Sequence, residues 1–202
     1  MASLVVVESA HEATSFLLPT PFRSEVVARV VLRTERLKLE PVAPDHAGAL
    51  FSAIIESRPE LLPWMPWARE PSLDGNRRTA EDGERDWHED RRFHFVMVER
   101  ATLQVIGVVG LNRAGAETAE LHYWIRSDHA GQGLTTEACR ALIAWAPQAL
   151  GVRRLTLWAG QQNRASRRVA AKLGFSDLGP LDWRPEGGLG TFEAERYQLE
   201  IS

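Results

Sequence analysis

The chain has 202 residues, 44% hydrophobic and 25% charged, which suits one compact domain with a sizeable core and would be cramped for two. A net charge of −3 argues against nucleic acid as the main ligand, since that footprint is basic, and leaves room for a cationic substrate. Cys139 is the single cysteine, so an intramolecular disulfide is excluded; the apolar run at 4–7 is too short for a signal segment or a membrane span. The cytoplasm is the expected compartment.

Residues 1–25 read as an N-terminal extension, with apolar patches broken by Pro19 and Pro21, and the domain proper is expected over 26–202. Residues 26–32 and 36–40 have the β-branched or alternating character of strands. Pro44 opens a helical pattern in which Leu50, Phe51, Ile54 and Ile55 share a face. The segment LLPWMPWA at 61–68 reads as a rigid apolar loop, and the charged stretch 72–92, holding Gly75 and Gly83, as an irregular helix.

Two apolar runs at 93–99 and 104–111 suggest a hairpin, and AELHYWIR at 119–126 a third strand. Alternation puts Glu120, His122 and Trp124 on one face of that strand and Leu121, Tyr123 and Ile125 on the other. A helix follows from about Leu134 with Ala138, Leu142, Trp145 and Ala149 inward, and Pro147 is expected to kink or shorten it. After a strand at 153–159, Asn163 and Gly174 suit the start and stop of a further helix, and Tyr197, Leu199 and Ile201 alternate as a closing strand. This order predicts an α/β fold, a mixed sheet flanked by helices.

The chemistry concentrates in DHAGQGLTTEA at 128–138, where two glycines at spacing two lead into a helix with two threonines and a glutamate. Glycines allow close backbone approach, and unpaired amides at a helix N-terminus favour an anion. A P-loop would need Gly-Lys-Ser/Thr, which is absent, and a dinucleotide fingerprint would need a third glycine where Thr136 stands. By itself the motif is equally a glycine turn and a helix cap.

Its context is more specific. LRTERLKLEPV, PWMPW, AELHYWI followed by HAGQGLTTEA, NRASRRVAAKLGF and the closing GTFEAERYQLEI occur in this order over about residues 30–202. In these segments the chain resembles the GNAT acetyltransferase superfamily, in particular the RimJ/RimL type that acetylates N-termini of ribosomal proteins. The resemblance implies splayed central strands, with acetyl-CoA in the cleft between 119–126 and 153–159. It assigns the pyrophosphate to backbone amides around Gly131, Gln132, Gly133, Leu134, Thr135 and Thr136, although Ala130 and Thr135 depart from the family's usual loop. It further implies a thioester-polarising amide at a bulge near Trp124 and Ile125, and contact of Asn163 with the pantetheine arm.

Direct transfer needs a neutral amine, a polarised thioester carbonyl and a proton for the departing thiolate. The tyrosine that many relatives use as acid falls on Ala170, and the resemblance points instead to Ser166, which could equally satisfy a helix terminus. Three base candidates stay open: Glu120, His122 beside it on one face, and Glu186 in the loop before the last strand. Each has a plainer role as a salt-bridged carboxylate or a structural histidine.

Cys139 reads as packing, and the six histidines show no metal spacing, so no metal is expected. Trp64 and Trp67 stand where relatives form the acceptor wall, and Arg164, Arg167, Arg168 and Lys172 make a basic helix face from which Arg164 and Arg167 could reach CoA phosphates. The resulting expectation is an acetyl-CoA-dependent N-acetyltransferase acting on a primary amine, a peptide N-terminus or a small molecule such as an antibiotic or polyamine. A silent acyl-CoA-binding regulator is the rival from another class. No membrane and no nucleic-acid partner is expected, and a homodimer is left open.

Overall fold

The computed structural model describes residues 27–183 and 192–202. The proposed extension at 1–25 and Glu186 lie outside the described residues. Within them, eight strands form a single sheet in the order β1-β2-β3-β4-β5-β6-β8-β7. The strands are β1 (Leu32–Arg33), β2 (Leu37–Pro41), β3 (Arg92–Glu99), β4 (Val105–Arg113), β5 (Thr118–Ile125), β6 (Arg154–Gly160), β7 (Ser176–Trp183) and β8 (Phe192–Glu200). All neighbours are antiparallel except β5 and β6, which run parallel. Helices α1 (Ala47–Leu61), α2 (Leu73–His88), α3 (Leu134–Leu150) and α4 (Arg164–Leu173) cover the sheet.

Contacts fix which face each helix takes. Tyr123 on β5 meets Ser166 on α4, so the Leu121, Tyr123 and Ile125 face lies beneath α4. Trp124 on the opposite face packs 6.1 Å from Trp67 in the short 3-10 turn Pro66–Arg69, which Arg58 of α1 holds through the Ala68 carbonyl. The core is continuous, and Trp87 near the end of α2 stands edge-on to Phe93 and Phe95 at 5.2 and 5.1 Å, with Trp145 of α3 beside it.

Several expectations change. Of the strand expected at 26–32, the described part enters the sheet only at Leu32, because Arg29 draws the chain aside by donating to Glu84 on α2 and to the Val42 carbonyl. The stretch 72–92 holds a regular sixteen-residue helix despite its glycines, since Ser72 caps it by accepting from the Gly75 amide and Trp87 anchors the other end in the core. Ile55, expected inward on α1, is 46% exposed, and Ser57 is buried instead.

Helix α3 runs through Pro147 to Leu150, its buried positions Leu142, Ala146 and Leu150 holding the last turn where one backbone bond is missing. Gly151 then ends it at φ 68°. Strand β7 is an addition to the expected order. Its pairing with β8 is irregular between Asp177 and Pro180, at the sheet edge, where a proline is tolerated.

Candidate active site

Strands β5 and β6 pair only at Thr118–Arg154, Ala119–Leu155 and Glu120–Thr156. Beyond Glu120 no ladder joins them among the described residues. The stretch of β5 from Leu121 to Ile125 therefore keeps a ladder with β4 on one edge and faces a cleft on the other. Parallel pairing that stops part-way exposes backbone donors and acceptors, which an extended ligand carrying amides can satisfy.

The glycine loop lies at the end of β5 that opens. Gly131 and Gly133 adopt φ of 76° and 81°, which side chains rarely accept, and Gly133 is the N-cap of α3. Next to the loop is a cavity of about 300 Å³ lined by the loop glycines, Leu134, Thr135 and Thr136 on one side and by α4 on the other. Arg168 and Lys172 of α4 line it. Arg167, expected there, turns away to the Tyr197 hydroxyl and Glu195. Loop, dipole and two cations make one concave anion site.

At the start of α4, Asn163 is 2% exposed, and its Oδ1 accepts from the Ser166 amide at 3.1 Å. It is thus a helix cap. Ser166 is fully buried, and its hydroxyl lies 3.0 Å from the Tyr123 hydroxyl. Burial pushes the Tyr123 phenol well above its ordinary value, so it stays protonated. Tyr123, to which the sequence pointed only as a face of β5, is therefore the partner of Ser166.

The other face of β5 carries the remaining candidates. Glu120 is 5% exposed and accepts from the Trp158 indole on β6 at 3.1 Å, across the point where the strands part. His122 leans the opposite way, over Gly110 on β4 and edge-on to His94 on β3 with ring centroids 4.4 Å apart. Only glycine fits between them, since a Cβ at 110 would lie 2.6 Å from His122 Nε2 and 2.8 Å from His94 Cδ2. That Nε2 is buried and has no hydrogen-bond partner among the described residues. Burial above all, with His94 and Arg92 adding to it, holds the His122 pKa well below 6.5. His94, lowered by burial to about 4, lies 2.9 Å from Asn112 Oδ1. Glu120 and His122 share a face, as alternation predicts, yet they turn to opposite sides of the strand.

The bulge expected at Trp124 and Ile125 sits elsewhere. The β4–β5 register is continuous from Arg113–Ala119 to Gly107–Ile125. The irregularity lies in the β3–β4 pairing, where Met97 and Val98 face Gly107 and Val105 and Ile106 of β4 is the extra residue. Gly107, at φ 156°, presses against this part of β5: a Cβ there would stand 2.2 Å from the Trp124 carbonyl oxygen.

A model of the acetyltransferase (GNAT) domain matches residues 36–176. The chain belongs to the GNAT acetyltransferase family. The ribosomal-protein-serine acetyltransferase of Escherichia coli (strain K12) is 28% identical to it over 144 residues, 70% of this chain and 80% of that protein. Among solved structures, RimL, a ribosomal L7/L12 alpha-N-protein acetyltransferase in complex with coenzyme A, superposes with a TM-score of 0.79 at 18% identity, covering 85% of this chain and 98% of that one. The microcin C7 self-immunity acetyltransferase MccE, in complex with acetyl-CoA and AMP, gives 0.77 at 19% identity over 83% of this chain and 94% of that one.

The GNAT domain is an N-acetyltransferase, and its fold is the mixed sheet described above. Cys139 is fully buried on α3 and burial drives its thiol pKa far upward, so it packs and does not react. Among the described residues, no cluster of three potential ligands is placed to hold a metal, and no helix is long and apolar enough to cross a membrane.

Proposed function

We propose that this GNAT domain takes its acetyl group from acetyl-CoA and transfers it directly to the α-amino group of a peptide or protein. One observation carries this: β5 and β6 part beyond Glu120, and the cleft so formed opens onto the Gly131–Gly133 loop. A donor with an anionic end, an extended amide-bearing arm and a reactive tip matches that sequence of features. Loop amides and the α3 dipole would hold the pyrophosphate, with Arg168 and Lys172 beside it. The free edge of β5 at Trp124 and Ile125 would bind the arm and the thioester carbonyl.

The two faces of the sheet then divide the chemistry. On one, the Ser166 hydroxyl, backed by Tyr123, donates to the sulfur as the carbon–sulfur bond breaks. On the other, Glu120 accepts the proton that the amine loses on attack, or orders a water that does. We assign His122 to the wall of the acceptor pocket with Trp67 and Trp124, because its Nε2 is turned toward Gly110. An α-amine suits so modest a base, since its pKa is about 7.7–8.0 against about 10.4 for lysine. The name of the Escherichia coli relative supports the same acceptor class. The lone buried cysteine fits a reducing cytoplasm.

A thiol-release assay with acetyl-CoA and matched peptides tests this. Peptides with a free α-amine should release CoA thiol, and N-acetylated copies that keep a lysine should not. Turnover with polyamines or aminoglycosides but not with peptides would replace the acceptor assignment. Severe impairment by Glu186→Gln with little effect of Glu120→Gln would move the base to the loop before β8.

A further inference from the structure

The anion loop is held from behind by a cluster that the donor would not touch. Glu137, one turn into α3, accepts from the Thr34 hydroxyl at 2.6 Å and the Arg36 amide at 2.8 Å on Oε1. Its Oε2 accepts from Arg36 Nε at 2.7 Å and lies 2.7 Å from Nη2. Burial pushes the Glu137 carboxyl up, but Thr34 and Arg36 together outweigh it, and its pKa lies below the ordinary value. The carboxylate is thus charged and saturated, and it fixes the guanidinium plane.

That guanidinium has one further contact. Arg36 Nη1 donates to the Gln132 carbonyl at 3.0 Å. The Gln132–Gly133 peptide is one of the two between the left-handed glycines, and glycine at 133 makes it free to turn over at little cost. A trans peptide directs its C=O and N–H to opposite sides. Holding the carbonyl on the Arg36 side therefore aims the Gly133 N–H at the cavity. If the peptide turned over, a carbonyl oxygen would face the anion instead.

We propose that Arg36, locked by Glu137 and Thr34, is a positioning residue for the donor: it orients the Gln132–Gly133 peptide so that the Gly133 amide binds the pyrophosphate. This rests on the assignment of the glycine loop to the pyrophosphate. Arg36 also ties the turn between β1 and β2 to the start of α3, so donor affinity depends on a segment about a hundred positions earlier in the chain.

Donor selectivity tests it. S-acetylpantetheine carries the same thioester and arm as acetyl-CoA but no pyrophosphate. The quantity to measure is kcat/KM for acetyl-CoA divided by kcat/KM for S-acetylpantetheine, with one peptide acceptor. Arg36→Lys keeps the charge but cannot bridge Glu137 and the Gln132 carbonyl together. It should lower this ratio at least about tenfold, the size expected for a charge-assisted contact. Glu137→Gln, which frees the guanidinium, should lower it in the same direction. An unchanged ratio in both variants, or an equal loss with both donors, overturns the role of Arg36. If the wild-type enzyme itself shows no preference for acetyl-CoA, the loop assignment fails first.

Discussion

The two faces of the sheet at β5 are built from different materials. On the face proposed for the donor the main components are backbone: the amides of residues 131–135, the dipole of a seventeen-residue helix and the edge of β5 that, among the described residues, has no ladder beyond Glu120. On the face proposed for the acceptor they are side chains, Glu120, His122, Trp124, Trp67 and Trp158, supplied by strands and turns far apart in sequence. A backbone site is altered only where a glycine or a clamp residue changes, so one donor can be kept while acceptors diverge. A side-chain site changes with each substitution. Fold and donor can thus be common to a family whose acceptors differ.

This contrast can be broken most severely where the faces meet. Gly107→Ala places a methyl group 2.2 Å from the Trp124 carbonyl and 2.7 Å from Ile125 Cα, both backbone of the strand that serves both faces. Overpacking and strain of this kind cost about 1–3 kcal/mol each, so both stability and acetyl transfer should fall sharply. Chemical denaturation with a parallel thiol-release assay checks it, and normal turnover in a stable variant would refute the close approach.

Ser166→Ala should have a smaller and mixed effect. It removes the hydroxyl beside Tyr123 and leaves the phenol only a long hydrogen bond, 3.5 Å, to the backbone carbonyl of residue 166. A buried polar group left so poorly satisfied costs about 1–3 kcal/mol. Thermal stability should fall together with kcat, while the acetyl-CoA dissociation constant changes little. A loss of stability with unchanged kcat would make Ser166 a purely structural partner of Tyr123.

The smallest effect is a pH dependence confined to the acceptor face. His94 has a folded pKa of about 4 against an ordinary 6.5, and His122 is shifted the same way. The unfolded chain therefore takes up these protons at higher pH than the folded one. Stability should be complete above about pH 6.5 and decline as the pH falls toward 4. The drop in Tm between about pH 7 and about pH 5 should be smaller in His94→Gln than in wild type. Equal drops would mean that the imidazole pair is not the cause.

The same contrast explains what could be read from the sequence. The loop at 128–138 is contiguous, so its glycines and the helix start were visible, as was alternation along 119–126. Arg36 and Glu137 were not visible as a pair, because only the β1–β2 turn brings positions 101 apart in sequence into contact. The His94–Gly110–His122 row depends on the register of three strands, and the turning of Glu120 toward Trp158 depends on where β5 and β6 separate. Strand β7 carries Gly179 and Pro180, which interrupt the alternation that marks a strand and are tolerated because it lies at the sheet edge. Helix α2 was understated because its glycines were weighed without the Ser72 cap and the buried Trp87.

The division between the faces is tested most directly by calorimetric binding of acetyl-CoA to three proteins side by side: wild type, Gly133→Val and Glu120→Gln. Valine at 133 meets a φ of 81° that a branched residue rarely adopts, and its Cβ would stand 3.7 Å from Arg36 Nη2, so the loop must rearrange to accept it. Its acetyl-CoA affinity should be lost, while Glu120→Gln should bind within about twofold of wild type yet lose at least about tenfold in kcat/KM for a peptide, the lower range of general-base effects. Near-normal binding by Gly133→Val, or a loss of acetyl-CoA affinity in Glu120→Gln as large as that in Gly133→Val, would contradict the division.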